Sequence, residues 1–118
     1  IFYINYAHAR INQVFVKSQI DVNSITKTSI DGLNQDGLNL VYESLLLSSV
    51  LNEAFSKRDM QKITEYLYNL ASSVHKFYNE YKIIGSDEQN LYLKVLAMAA
   101  LSINVGLSLL GIKAKDIM

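Results

Sequence analysis

Residues 2–17 read FYINYAHARINQVFVK, and the spacing inside this stretch decides how the chain folds. Ile4, Ala7 or His8, Ile11, then Val14 and Phe15 recur at steps of three and four, the core-facing stripe of an amphipathic α-helix. At the same steps Tyr3, Tyr6, Arg10, Gln13 and Lys17 fall on the opposite side. One face buries, and the other presents two phenol rings and two cations. Rings that stack on bases and cations that meet phosphates suit a surface that holds unpaired nucleotides without catalysis. The same decoration also suits an ordinary solvated helix, so spacing alone leaves both readings open.

Outward from this helix, expected over Phe2 to Lys17, the pattern stays helical. There is no proline, and no β-branched alternation bounded by tight turns. Residues 18–36 dissolve into Asn, Ser, Thr, Asp and Gly, including Asp31-Gly32 and Asp36-Gly37, which predicts a long exposed connection. A second helix is predicted over Leu38 to Phe55, with Leu40, Leu45 or Leu46, Ser49 or Val50 and Ala54 inward. The third begins near Asp59 and runs to about Lys82, burying Ile63, Leu67, Leu70, Val74, Phe77 and Tyr81. On its adjoining side lie Tyr68, Ala71, His75, Tyr78 and Lys82, a second stripe with aromatic and basic members. Gly85 suits a left-handed helix end, and Ser86-Asp87-Glu88-Gln89 has the form of a capping box opening the fourth helix. No charge occurs between Val95 and Ile112, and Ser102, Asn104 and Ser108 mark that helix as central to a bundle rather than lipid-facing. Gly111 ends it, leaving a short tail with Lys113 and Lys115. The fold class is all-α, a bundle of about four main helices.

Composition narrows the function. At 118 residues, half of them hydrophobic, the chain can bury one core, so residues 1–118 are read as a single domain. Without cysteine there is no disulfide framework and no thiolate metal site. His8 and His75 stand apart from any metal motif and read as packing or hydrogen-bonding residues. No nucleophile–base pair, metal cluster or phosphate loop supports a self-contained enzyme. A formal net charge of zero argues against a nonspecific nucleic-acid binder. The chain starts at Ile1 with no leader-like pattern, and it is expected to be a piece of a larger polypeptide.

Three stretches carry a resemblance. Phe2 to Ile11, with its Tyr-Ala-His-Ala-Arg run, is similar to the opening of the C-terminal anticodon-binding (DALR-type) domain of arginyl-tRNA synthetases, class I enzymes. Tyr66-Leu67-Tyr68-Asn69-Leu70-Ala71 followed by Phe77-Tyr78, and Gly106-Leu107-Ser108-Leu109-Leu110-Gly111-Ile112 followed by Met118, resemble that family in order and spacing. The related domains of the glycyl β-subunit or of cysteinyl enzymes, and a helical protein-interaction module with exposed tyrosines, are the alternatives.

The resemblance implies a cytoplasmic bacterial arginine–tRNA ligase whose ATP-using catalytic domain lies outside these residues. The chain would contribute no catalytic residue, no cofactor and no metal, and its partner would be the anticodon loop of arginine tRNA. It points to Tyr3, Tyr6, Tyr78 and Met118 as loop contacts, with Arg10, Lys17 and Lys82 as candidates for phosphate. For Arg10 a bracing role through a carboxylate stands equally beside the phosphate contact. All arginine anticodons have cytosine at their centre, so the centre should be read strictly and its neighbours loosely. The family often has Ala-Pro in its tail. Here Lys113-Ala114-Lys115-Asp116-Ile117-Met118 lacks proline, and the tail is expected to settle only on RNA.

Overall fold

The tyrosine-bearing stretch forms one helix, α1 (Phe2–Ser18), ended by Gln19 in the left-handed conformation. The structure is a computed structural model and describes residues 1–117. A short 3-10 turn (Val22–Ile25) follows, then α2 (Gln35–Leu45), α3 (Leu47–Lys57), α4 (Gln61–Glu80) and α5 (Gln89–Leu109). There is no strand among the described residues.

The core lies where the predicted stripes meet. Ile4, Ala7, Ile11 and Val14 of α1 are buried against Ile63, Leu67, Leu70, Val74 and Phe77 of α4 and Leu93, Leu96, Ile103 and Leu107 of α5. Each such side chain contributes about 1.5–3 kcal/mol on leaving water. α5 packs against α1, α2 and α4 and is the core helix of the bundle, although it carries Lys94 and leaves Leu101, Val105 and Leu109 exposed rather than being enclosed on most sides. Leu67 of α4 closes against Gly106 of α5, where a Cβ would stand 2.6 Å from its Cδ2. Only glycine lets these two backbones come so near.

Five expectations need correction. The connection is shorter and less exposed than its composition suggests: Ile25 and Leu33 are buried, and Lys94 donates to the carbonyls of Thr26 and Thr28. Asp36-Gly37 is no turn. Asn34 caps α2 by accepting the Gly37 N–H at 2.8 Å, so this helix begins at Gln35.

The single helix expected over Leu38 to Phe55 is two, divided at Leu46. At the break the Tyr66 hydroxyl donates to the Glu43 and Ser44 carbonyls and Ser102 Oγ donates to the Ser44 carbonyl. Hydroxyls from α4 and α5 thus bind the carbonyls on which the helix would continue. Leu46 and Val50 turn inward against the core while their neighbours Leu45 and Ser49 are exposed, and Leu40 and Ala54 are buried as expected.

The capping box does not form. α4 ends at Glu80, five residues short of Gly85, and Gln89 Oε1 accepts from the Gly85 N–H. Gly85 does take the left-handed conformation, at φ 82°.

The tail is already docked. The Lys115 N–H donates to Asn5 Oδ1 at 3.1 Å, His8 Nδ1 meets the Lys115 carbonyl at 2.6 Å, and Asn12 donates to the Asp116 carbonyl. Polar side chains along α1 supply what a fixed proline φ would otherwise provide. Met118 lies outside the described residues.

The remaining boundaries agree with the sequence. Asp59 accepts from the Gln61 N–H and opens α4, and Gly111, at φ 78°, follows α5 as the Ile112 N–H turns back to the Leu107 carbonyl.

Candidate functional site

α1 and α4 lie side by side, and their pairing merges the two aromatic stripes into one face. The Tyr3 ring sits 5.0 Å from Tyr68 and 4.7 Å from His75, and Tyr6 sits 5.3 Å from His75. Phe2 extends the row, 6.5 Å from Tyr6. Tyr6, Tyr68 and Phe2 are exposed, while Tyr3 and Tyr78 are half-buried. Rings packed by other rings keep their faces in fixed directions, which lowers the cost of stacking a base on them.

Arg10 closes the row. Its guanidinium carbon is 3.9 Å from the centre of the Tyr78 ring and 5.3 Å from that of Tyr6, so the cation lies between two π-faces. Nη1 meets His75 Nδ1 at 3.0 Å and Nη2 donates to Asn79 Oδ1 at 3.4 Å. Of the two readings of Arg10, the carboxylate brace does not form, and an imidazole and an amide hold the guanidinium instead. Among the described residues no carboxylate lies within ion-pair distance of Arg10. Its charge is positioned but uncompensated, and an arginine in that state is suited to an anion.

His75 is buried, at 8% exposure. That burial lowers its pKa below the usual histidine value; the Tyr3 carbonyl opposes the shift and the Arg10 charge adds to it. A neutral imidazole is what lets Nδ1 accept from a guanidinium.

The other candidates lie at varying distance from this row. Lys82 is exposed and shares a hollow of about 270 Å³ with Tyr78, Val14 and Ile84. Lys17 is exposed in the last turn of α1, roughly 10 Å along the helix from Arg10 at 1.5 Å per residue. The structure does not bring it to the rings. Sequence reasoning passed over four members of the face as site residues, Tyr68, His75, Asn79 and Phe2. The signal for the first two was present, since both stand on the second stripe of α4 beside Tyr78.

This surface is an open row of rings around one cation, carried on an all-α fold. A family model, DALR anticodon binding domain, matches residues 4–118, and the chain belongs to that family. It is 79% identical over its whole length to the arginine–tRNA ligase of Aliarcobacter butzleri and 53% identical over 116 residues to that of Campylobacter lari. The chain spans 22% of the length of each relative. The crystal structure of an arginyl-tRNA synthetase candidate from Campylobacter jejuni superposes with a TM-score of 0.97 at 52% identity, over 99% of this chain and 26% of that one. The Thermus thermophilus arginyl-tRNA synthetase, 24% identical, shares the fold at a TM-score of 0.86, over 98% of this chain and 21% of its own.

Proposed function

We propose that residues 1–118 are the single anticodon-binding domain of an arginine–tRNA ligase and hold the anticodon loop of arginine tRNA on the face between α1 and α4. The larger protein uses ATP in a catalytic domain outside these residues, attaches arginine to the tRNA, and works in the cytoplasm. This domain itself takes no cofactor or metal. The observation that carries the reading is the Arg10 cation, held between Tyr6 and Tyr78 with no carboxylate, at the end of a row of exposed rings.

Tyr3 and Tyr6 stack on loop bases, Tyr78 supports Arg10 and offers its free edge, and Arg10 meets a phosphate. Lys82 and Lys17 add longer-range attraction that salt weakens, and Met118 contributes from the terminus. Each base stacked on a ring is worth about 1–3 kcal/mol. Specificity for the central cytosine requires an acceptor facing its amine.

The test is fluorescence anisotropy with an arginine anticodon stem-loop. Tyr6→Ala and Tyr78→Ala each weaken binding by about 1–3 kcal/mol with helical circular dichroism intact. Unchanged affinity in both variants would reduce the row to ordinary surface.

A further inference from the structure

His75 controls an arginine by being uncharged. It sits where α4 packs under α1, faced from α1 by Tyr3, Tyr6 and Arg10, and Arg10 is the charge that bears on it. On its own helix, Tyr78 and Asn79 hold the same guanidinium. A guanidinium has donors and no acceptor, so Nδ1, 3.0 Å from Nη1, carries the lone pair and the proton is on Nε2. Nε2 is buried and makes no well-aligned hydrogen bond among the described residues, the Tyr3 carbonyl being the backbone acceptor that favours a proton on this ring. The ring is thus held by its neighbours and by Arg10.

We propose that His75 is a positioning residue whose neutral, Nε2-protonated form aims Arg10 across Tyr78 toward the RNA. The role rests on the reading of the α1–α4 face as the RNA surface. Protonation leaves the imidazole with two donors, no acceptor and a positive charge against the guanidinium. Arg10 then loses its anchor and swings off the ring. Acid therefore weakens RNA binding here, opposite to the ordinary expectation that an added positive charge strengthens a phosphate contact.

Anisotropy with an arginine anticodon stem-loop, at about pH 7.5 and about pH 5.5, tests this on the 118-residue chain and its His75→Gln and His75→Leu variants. Glutamine keeps a carbonyl acceptor without a titrating proton, and leucine removes the acceptor. Nitrogen-15 spectra of the imidazole in the RNA-free chain report its tautomer. The wild type is expected to show the proton on Nε2 at the higher pH and to lose about tenfold in affinity on acidification. His75→Gln binds within about threefold of wild type at the higher pH and responds less to acid, and His75→Leu binds about tenfold more weakly with its circular dichroism unchanged.

An imidazole charged or protonated on Nδ1 at the higher pH overturns the proposal. So does wild-type binding that strengthens in acid in parallel with His75→Gln, or a folded His75→Leu that binds as wild type. Failure of the wild type to bind the stem-loop at either pH overturns the RNA reading, and the tautomer then decides separately whether His75 holds Arg10.

Discussion

The guanidinium carbon of Arg10 stands 3.9 Å from the centre of the Tyr78 ring, tying the middle of α1 to the last turn of α4. A lysine at position 10 keeps the charge but has neither the planar face nor the fork that reaches His75 and Asn79 together. Arg10→Lys is therefore expected to lower stability by about 0.5–1 kcal/mol and to weaken stem-loop binding by about 1–2 kcal/mol. Urea melts and anisotropy check both, and a lysine variant equal to wild type in each would remove the stack from the account.

Leu67 and Gly106 occupy one space from opposite helices. Gly106→Ala forces the fully buried Leu67 off its position at a cost of about 1–3 kcal/mol, partly offset by alanine's helix preference of about 0.8–1.0 kcal/mol. Leu67→Ala costs about 2–5 kcal/mol through the cavity it leaves. The double variant should lose less than the sum, because the new methyl enters that cavity, with a coupling of at least about 0.5 kcal/mol. Additive losses in denaturant melts would contradict the close approach.

Of the three α1 side chains that hold the tail, Asn5 is the buried one, and its Oδ1 takes the Lys115 N–H. Asn5→Ala should cost about 1 kcal/mol and release the tail. Trypsin cleavage after Lys113 and Lys115 then becomes faster than in the wild type, with the rest of the chain still resistant. Equal cleavage rates would show that the docking does not depend on this bond.

Stability should also carry the mark of His75. In the unfolded chain this group titrates near its ordinary 6.5, and in the fold burial holds it lower. Between those two values the unfolded chain binds more protons, so stability present above pH 6.5 is lost as the pH falls toward the folded value. The melting temperature of the wild type should drop more steeply than that of His75→Gln from about pH 7 to about pH 5.5. Parallel slopes would mean that the imidazole is not held neutral.

How far the sequence discloses this molecule depends on the range over which each feature is determined. α1 and α4 are legible because each buries one regular stripe, such as Ile63, Leu67, Leu70 and Val74, and local periodicity reports that directly, while α5 is legible from its uncharged run after Lys94. The division of α2 from α3 is not, because it is made by the Tyr66 and Ser102 hydroxyls, 22 and 58 residues from the Ser44 carbonyl they bind. The Ser86 to Gln89 box misleads because Gln89 turns to the Gly85 amide instead. Tyr3, Tyr6 and Arg10 share a face by helical period alone. Their union with Tyr78 requires the pairing of α1 with α4, and the use of a neutral histidine as the arginine's partner is visible only once that pairing brings residues 10 and 75 together.

The most direct test of the central claim is an anisotropy titration of the chain against an arginine anticodon stem-loop and the same loop with its central cytosine replaced by uracil, at two salt concentrations. The account predicts tighter binding of the cytosine loop by about 1–3 kcal/mol, with the preference kept at the higher salt while overall affinity falls. Equal affinity for the two loops at both salts would contradict it and leave the α1–α4 face as a generic basic and aromatic surface.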